Sequence, residues 1–296
     1  MQHDNSVLAW LLQADNPAVR LRAQTELLGA AGDKQPVIDW LQARLPVDWR
    51  DRTGLWRTYF LTAIAECGLS LEDVGADRET ALLLHGGKGT SENSCGDMMH
   101  LRALVRLGFG HAPAVREALT LASARQLPDG GFLCLHRLDK LCYTPKSCVK
   151  ANLHALLLAA ECKKRGIDLP YTEGLLAYFW RHRLFYRTAQ PDVLMLDCRA
   201  GWRTIDTFYP FEVMRVGLQN VVEAFAALGL GADARLQEAW ALLDAHRDEE
   251  GKYRLGGTLT KSYLPKERVG QPSKWVTLYA LLAHRESEGA GAQSKG

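Results

Sequence analysis

Apolar residues recur at the spacing of an α-helix along almost the whole chain. The clearest examples are the stretches 7–14, 101–110, 151–162 and 275–284, where hydrophobic side chains return every three or four positions. The alternating pattern of a half-buried strand is scarce. Glycine and proline separate these stretches and divide the chain into about ten to twelve helices. The pattern therefore predicts an all-α fold.

The chain also contains an internal repeat. Residues 104–132 align without a gap with residues 225–253, 121 positions later. Each copy predicts a helix that ends in Leu-Gly, a second helix, and an acidic-Gly turn closed by an aromatic residue, Phe132 or Tyr253. One hairpin cannot bury its own apolar face, so we expect several to stack, as an open solenoid or as a closed ring. Phe132 and Tyr253 are then expected at equivalent sites against neighbouring hairpins.

The turn at 125–132, RQLPDGGF, resembles the Q-x-x-DGG-F/W turn of the α/α-toroid superfamily. That superfamily holds squalene-hopene cyclases, other class II terpene cyclases and the β subunits of protein prenyltransferases. The segments 11–29, 179–187 and 270–283 resemble small bacterial squalene cyclase-like or prenyltransferase repeat proteins. The resemblance implies an α/α toroid, incomplete relative to a full ring of six hairpins. It also implies a central cavity lined by the N-terminal ends of the inner helices.

Two motifs of these families are not present intact. Class II terpene cyclases protonate their substrate with the middle Asp of a D-x-D-D motif, which this sequence lacks. Prenyltransferases hold zinc with an Asp-x-Cys-Tyr segment and a later His. Here Asp139 is displaced from the segment that contains Cys142 and Tyr143, and Ser273-Lys-Trp275 stands where that His is expected. Neither polyene cyclisation nor the prenyltransferase zinc site is therefore predicted.

Four cysteines nevertheless form a candidate metal site of another kind: Cys95, Cys134, Cys142 and Cys148. Thiolates are the soft ligands that zinc and iron–sulfur centres prefer, and four of them complete a tetrahedral site. We expect zinc, with an iron–sulfur cluster as the alternative. Thiolates that share zinc at about 2.3 Å each have sulfurs about 3.5 to 4 Å apart. Reserve ligands are His100, His136 and Asp139.

Two other interpretations of the cysteines stay open. Free cysteines are often small buried hydrophobic residues, and one of these thiols is a candidate nucleophile. Cys67 and Cys162 lie near the ends of amphipathic helices and Cys198 lies in a loop, so we expect none of the three to be a ligand.

Inner helices are predicted to begin close to Cys95, Cys148, Pro210 and Ser273. Backbone N–H groups at helix starts favour anions and polarised groups. Polar residues at these starts include Lys150, His154 and Arg215 and, as our candidates for acid–base catalysis, Asp97, His100, Glu212 and Lys274. The alternative is that these side chains cap helices or are solvated.

Charge and composition narrow the partners. The 296 residues carry 36 basic and 34 acidic side chains, a net charge of +2, without the basic stripe that nucleic acid requires. We therefore expect no nucleic-acid partner. No run approaches the roughly 18 apolar residues of a membrane span, and the start lacks a leader pattern, so the expected compartment is the cytoplasm. Seven cysteines, an odd number, argue against a secreted disulfide framework.

We expect one domain over residues 1–285 and a disordered tail over 286–296; the oligomeric state is open. Two functions fit these features. The first is a squalene cyclase- or prenyltransferase-like enzyme with a cysteine-ligated metal, acting on an apolar or isoprenoid-like small molecule in its cavity. The second is a non-catalytic binding or scaffold protein, with a closed structural four-cysteine site or with no metal.

Overall fold

A computed structural model describes residues 5–52, 54–76, 94–134, 147–195, 203–212, 214–258 and 264–293. Eleven α-helices and no strands beyond isolated bridges are found in these ranges, which confirms the all-α prediction. The helices are α1 (Asn5–Leu11), α2 (Pro17–Arg22), α3 (Gln35–Gln42), α4 (Leu55–Glu66), α5 (Ser94–Leu104), α6 (Pro113–Ser123), α7 (Val149–Lys164), α8 (Thr172–Arg181), α9 (Leu218–Ala227), α10 (Gln237–Asp244) and α11 (Lys274–Gln293).

Six of these helices form an inner layer that closes on itself. Helix α4 packs on α5, α5 on α7, α7 on α9, α9 on α11, and α11 on α2. Arg22 at the end of α2 then reaches Glu66 at the end of α4 and closes the circuit. Among the described residues, four of the inner helices are followed by an outer helix, namely α3, α6, α8 or α10. The arrangement is an α/α toroid, and six helices form its inner layer in the described residues.

Hydrophobicity separates the two layers. Every residue of α7 from Ala151 to Cys162 is buried, because an inner helix is covered on all sides. The outer helix α6 buries one face through Val115, Ala118, Leu119 and Ala122 and exposes the opposite one. The outer helix α6 is therefore amphipathic, whereas the inner helix α7 is buried on all sides.

The two repeat copies end in the same turn. Gly130 and Gly251 have φ of +86° and +83°, a conformation that favours glycine. A Cβ at Gly130 would also overlap the carbonyl oxygen of Gly174. Phe132 and Tyr253 are 0% and 1% exposed, which confirms that they hold equivalent buried sites.

The same turns fix the starts of the next inner helices. The backbone N–H of Cys148 donates to the carbonyl of Phe132 at 2.7 Å, and that of Ser273 donates to Tyr253 at 2.8 Å. In return, the N–H of Phe132 donates to Asn152 Oδ1 at 2.7 Å. Four residues after Ser273, Thr277 Oγ1 accepts from the N–H of Tyr253 at 2.9 Å. Helices α7 and α11 therefore start at the predicted positions because the preceding turn holds their first residues.

The predicted start at Pro210 is wrong. Helix α9 begins eight residues later, at Leu218, after an irregular segment that buries Phe208, Tyr209 and Phe211. The start is set instead by Asn220, whose Oδ1 accepts from the N–H of Gly217 at 3.2 Å.

The C-terminal boundary also differs from the prediction. Helix α11 continues to Gln293, so most of the expected disordered tail from Glu286 is helical. Glu286 lies 2.6 Å from Lys164 on the inner helix α7, an ion pair that supports the added turns.

Candidate functional site

Three of the four predicted metal ligands lie together. Cys95 is on the first turn of α5, Cys148 directly precedes α7, and Cys134 follows the GGF turn between them. Their three sulfur atoms all lie within 4.8 Å of one another, and the sulfurs of Cys95 and Cys134 are 3.6 Å apart. We call these three residues the cysteine cluster.

The cluster divides into one acidic thiol and two weakly acidic ones. The hydrogen bond from the Cys95 thiol lowers the pKa of Cys148 to about 5, and the backbone N–H groups of Lys150 and Ala151 help against the effect of burial. That same hydrogen bond, together with burial, raises the pKa of Cys95 well above its usual range. Burial raises the pKa of Cys134. Cys148 is therefore the most acidic thiol of the cluster.

The other predicted ligands are placed less fully. Cys142, His136 and Asp139 lie outside the described residues, as does Cys198. Cys67 at the end of α4 and Cys162 on α7 are both fully buried, and burial raises the pKa of each thiol. Neither belongs to the cluster of three.

The four candidate catalytic residues are buried but are not brought together. Asp97 is 3.3 Å from Arg125 at the end of the outer helix α6. His100 shares a 3.0 Å hydrogen bond with Thr58, between α4 and α5. Both pairs link helices.

The other two candidates lie elsewhere in the ring. Glu212 accepts from Thr258 Oγ1 at 2.6 Å and lies 3.5 Å from Lys266. Lys274 donates to Gln13 at 3.2 Å and also bonds Asp15, between α1 and α2. Their catalytic role stays a prediction, and the described geometry gives each a partner that holds it in the fold.

Sequence reasoning missed a charged cluster inside the ring. Glu66 Oε1 accepts from Arg102 and from Arg106, each at 3.1 Å, while its Oε2 bonds Tyr279. Arg22 lies 3.4 Å from the same carboxylate and donates to the Tyr279 hydroxyl at 3.1 Å. These residues come from α2, α4, α5 and α11 and from the turn after α5. A signal was available: charged residues interrupt otherwise apolar inner helices.

This charged cluster forms one wall of a small central cavity. The free volume open to the centres of water molecules is about 20 Å³. One water needs about 10 to 15 Å³, so the space suits one or two. The lining comes from α4, α5, α7 and α9 and the segment before α9, and its polar members are Thr62, Glu66, Arg102, Arg106, His154, Arg215 and Asn220.

A second, smaller cavity adjoins the first. It shares His154 and Arg215 with the central one and adds Lys150, Leu153, Thr204, Phe208, Met214 and Val216. Lys150 and His154 are on α7, which begins directly after Cys148. Helix α7 therefore lines both cavities, and Cys148 of the cysteine cluster directly precedes it.

No known protein family matches the sequence, and no curated protein does. Among solved structures, the chain is similar to a glycosyl hydrolase family 88 protein from Bacteroides vulgatus, with a TM-score of 0.50 and 13% identity over 97% of this chain and 98% of that one. This protein has the fold of the α/α toroids. A polysaccharide lyase matches with a TM-score of 0.42 and 12% identity over 80% of this chain and 73% of that one.

The similarity to the glycosyl hydrolase family 88 protein supports the toroid expected from the sequence but not the squalene cyclase assignment. At such low identity it shows the fold alone. In the described part of the chain, none of the helices has both the length and the apolar character needed to span a membrane.

Proposed function

We propose that the chain is a zinc-binding α/α-toroid protein that acts on a small molecule bound in its central cavity. The observation that carries the proposal is the convergence of three sulfurs, from Cys95, Cys134 and Cys148, within 4.8 Å. Zinc at about 2.3 Å from each of three thiolates needs sulfurs close to this spacing. An iron–sulfur cluster is the alternative occupant of the same thiols.

The chemistry of the cluster supports a soft cation. Cys148 is already the acidic thiol of the three, since it accepts hydrogen bonds from Cys95 and from the start of α7. Zinc binding would release the protons of Cys95 and Cys134, because thiolates and not thiols are the ligands. A cation also relieves the repulsion between three thiolates in a half-buried space.

An enzymatic role follows if the fourth position on zinc stays open for water or substrate. The cluster lies at the start of α7, and four residues of that helix, Lys150, Leu153, His154 and Leu157, line the cavities. The prediction of an apolar or isoprenoid-like substrate stands on the sequence resemblance. The polar lining of the described cavity points to a molecule that carries at least one polar group.

A second candidate function is a scaffold with a closed four-cysteine site. It is favoured by the position of the cluster, because Cys95 belongs to one hairpin, Cys148 to the next, and Cys134 to their connection. A metal there would tie two hairpins together. In that case Cys142 would be the fourth ligand.

The test is elemental analysis of the freshly purified full chain, with an absorption spectrum. We expect about one zinc per chain, and loss of that zinc in Cys148→Ser. Cys162→Ala is the matched control, because it removes a thiol from the same helix outside the cluster. If the purified protein is brown and contains iron, the bound group is an iron–sulfur cluster instead of zinc. No metal above background in the wild type would contradict the proposal.

The coordination shell separates the two functions. X-ray absorption at the zinc edge should show three sulfurs and one oxygen or nitrogen in the open site, and Cys142→Ser should leave that shell unchanged. Four sulfurs, with one lost in Cys142→Ser, would instead establish the closed scaffold site.

A further inference from the structure

His154 is a buried polar side chain without a protein partner. It is 3% exposed, lies in the middle of α7, and lines both cavities. Within the described part of the chain, neither of its ring nitrogens has a hydrogen bond. Its imidazole is therefore open toward the cavities and available to hydrogen-bond a bound molecule.

Other donors surround the same space. Asn220 on α9 uses its Oδ1 to accept from Gly217 and Gln219, which leaves its amide NH₂ to donate. Arg215, before α9, lies with its guanidinium 5.2 Å from the ring centre of Phe208, which holds the side chain at the cavity wall. Arg102 completes the set from α5, with one of its nitrogens on Glu66.

The charges on the wall are mainly positive. Three arginines line the central cavity, Arg102, Arg106 and Arg215, against one carboxylate, Glu66. Glu66 is already bound by Arg102 and Arg106 and by Arg22 and Tyr279 from beyond the lining. Lys150 adds a further cation in the adjoining cavity.

The positive charges around the cavity also affect the pKa of His154. Burial lowers it to about 3, with further lowering by Arg102 on α5 and Lys150 on α7. Glu66 on α4 faces the same cavity, and the other polar neighbours, Arg215 and Asn220, bring no negative charge. The imidazole is therefore neutral and offers one donor and one acceptor.

From this placement we infer that the cavity around His154, Arg102, Arg215 and Asn220 binds the oxyanion group of a small molecule, a carboxylate or a phosphate. Guanidinium groups and amide N–H groups are the donors such anions prefer. The narrow free volume argues against a large apolar molecule and leaves room only for a small polar group in place of water.

The site lies close to the cysteine cluster but does not depend on it. His154 is six residues after Cys148, which corresponds to about 9 Å along the axis of α7. A ligand anchored here would extend toward the cluster through the cavity that Lys150 lines. Since the anchoring residues are not cysteines, anion binding is expected with or without zinc.

The experiment is calorimetric titration of the full chain with benzoate, phenyl phosphate and neutral benzyl alcohol. We expect saturable binding of at least one anion and none of the alcohol. Benzoate alone would assign a carboxylate and phenyl phosphate alone a phosphate, while both would support the shared chemistry. Binding of neither anion, or equal binding of the alcohol, would overturn the inference.

Variants locate the binding. Arg215→Gln and His154→Gln should each lower the affinity for the anion about tenfold or more, since each removes a hydrogen bond to a charged group. Lys163→Gln, on the exposed end of the same helix, is the matched control and should bind as the wild type does. Equal affinity in all three variants would place the anion elsewhere and refute the site.

A spectroscopic readout makes the test independent of stability. The bound anion should raise the pKa of His154, seen as a shift of one histidine ring signal in carbon–proton NMR. His154→Gln identifies that signal among the nine histidines. Saturable binding that leaves the His154 signal unmoved would also refute the inference.

Discussion

Two regions of the ring share one backbone arrangement but differ in the roles of their side chains. The first arm consists of Phe132 and residues 147–154, and the second arm consists of Tyr253 and residues 273–279. Each joins a buried aromatic turn to the start of an inner helix through the same pair of hydrogen bonds. In the second arm the side chains of Ser273, Thr277 and Tyr279 all have hydrogen-bond partners. Ser273 Oγ accepts from the N–H of Val276 at 3.0 Å, and the Tyr279 hydroxyl bonds Glu66 and Arg22.

The first arm places reactive groups at the matching positions. Cys148 stands where the second arm has Ser273, and it accepts from Ala151 as Ser273 accepts from Val276. His154 is the sixth residue after that cysteine, as Tyr279 is after Ser273, but it lines a cavity without a protein partner. The difference teaches that the repeat fixes the positions, while the residue at each position decides whether it supports the fold or serves a site.

The turn aromatics carry the largest expected effect on stability. Phe132→Ala and Tyr253→Ala should each lower the free energy of unfolding by about 3 to 5 kcal/mol, because each leaves a cavity between hairpins. Chemical denaturation measures both. If the arms share one scaffold, the two losses should be similar; a loss below about 1 kcal/mol in either arm would break the equivalence.

Zinc should distinguish the arms next. At a free zinc concentration of 100 times Kd, the wild type should gain about 2.7 kcal/mol of unfolding free energy. Cys148→Ser places a serine at the helix start of the first arm, as Ser273 is in the second arm. This variant should not be stabilised by zinc. The reverse change, Ser273→Cys, should add no further gain. Thermal melts with zinc and with a chelator report both, and an unaltered zinc response in Cys148→Ser would argue against the site.

Substitutions at the two interior positions, Tyr279 and His154, should change the free energy of unfolding by different amounts. Tyr279→Phe should cost about 1 to 3 kcal/mol at pH 8, since Glu66 and Arg22 each lose a buried partner. His154→Gln should change the unfolding free energy by less than about 1 kcal/mol, because no protein hydrogen bond is lost. Equal costs at the two positions would mean that His154 is held by the protein after all.

The last effect appears only as a gradual slope with pH. The folded-state pKa of His154 is about 3, below its ordinary 6.5, so the unfolded state binds a proton that the folded state does not. Stability from this group is present above pH 6.5 and is lost as pH falls toward 3. The slope should be at most about 1.4 kcal/mol per pH unit. The difference between wild type and His154→Gln, measured by denaturation across this range, isolates it; a flat difference would contradict the pKa shift.

Sequence patterns predicted most of the fold for identifiable reasons. The helical period and the repeat of residues 104–132 at 225–253 follow from local burial. The buried sites of Phe132 and Tyr253 have the same origin. The start of α9 was misplaced because Pro210 favours a helix start, whereas Asn220 fixes the actual one through a hydrogen bond. Local sequence does not show which of two nearby signals prevails.

The site was predicted less completely. The cysteines were found by their density, since few other patterns bring thiols close together. The charged cluster was missed because Arg22, Glu66 and Tyr279 are far apart along the chain and meet only when the ring is closed. The roles of Asp97 and Lys274 depend on which way each side chain points, and helix spacing alone does not fix that at helix ends.

The closure of the inner layer has a consequence for how the molecule unfolds. In an open solenoid each repeat contacts only its neighbours, and the end repeats fray first. Here Arg22 and Tyr279, 257 residues apart in sequence, are bonded at 3.1 Å, so the first and last described inner helices are neighbours. Detaching one inner helix removes two interfaces, which favours cooperative unfolding of the whole ring over fraying from an end.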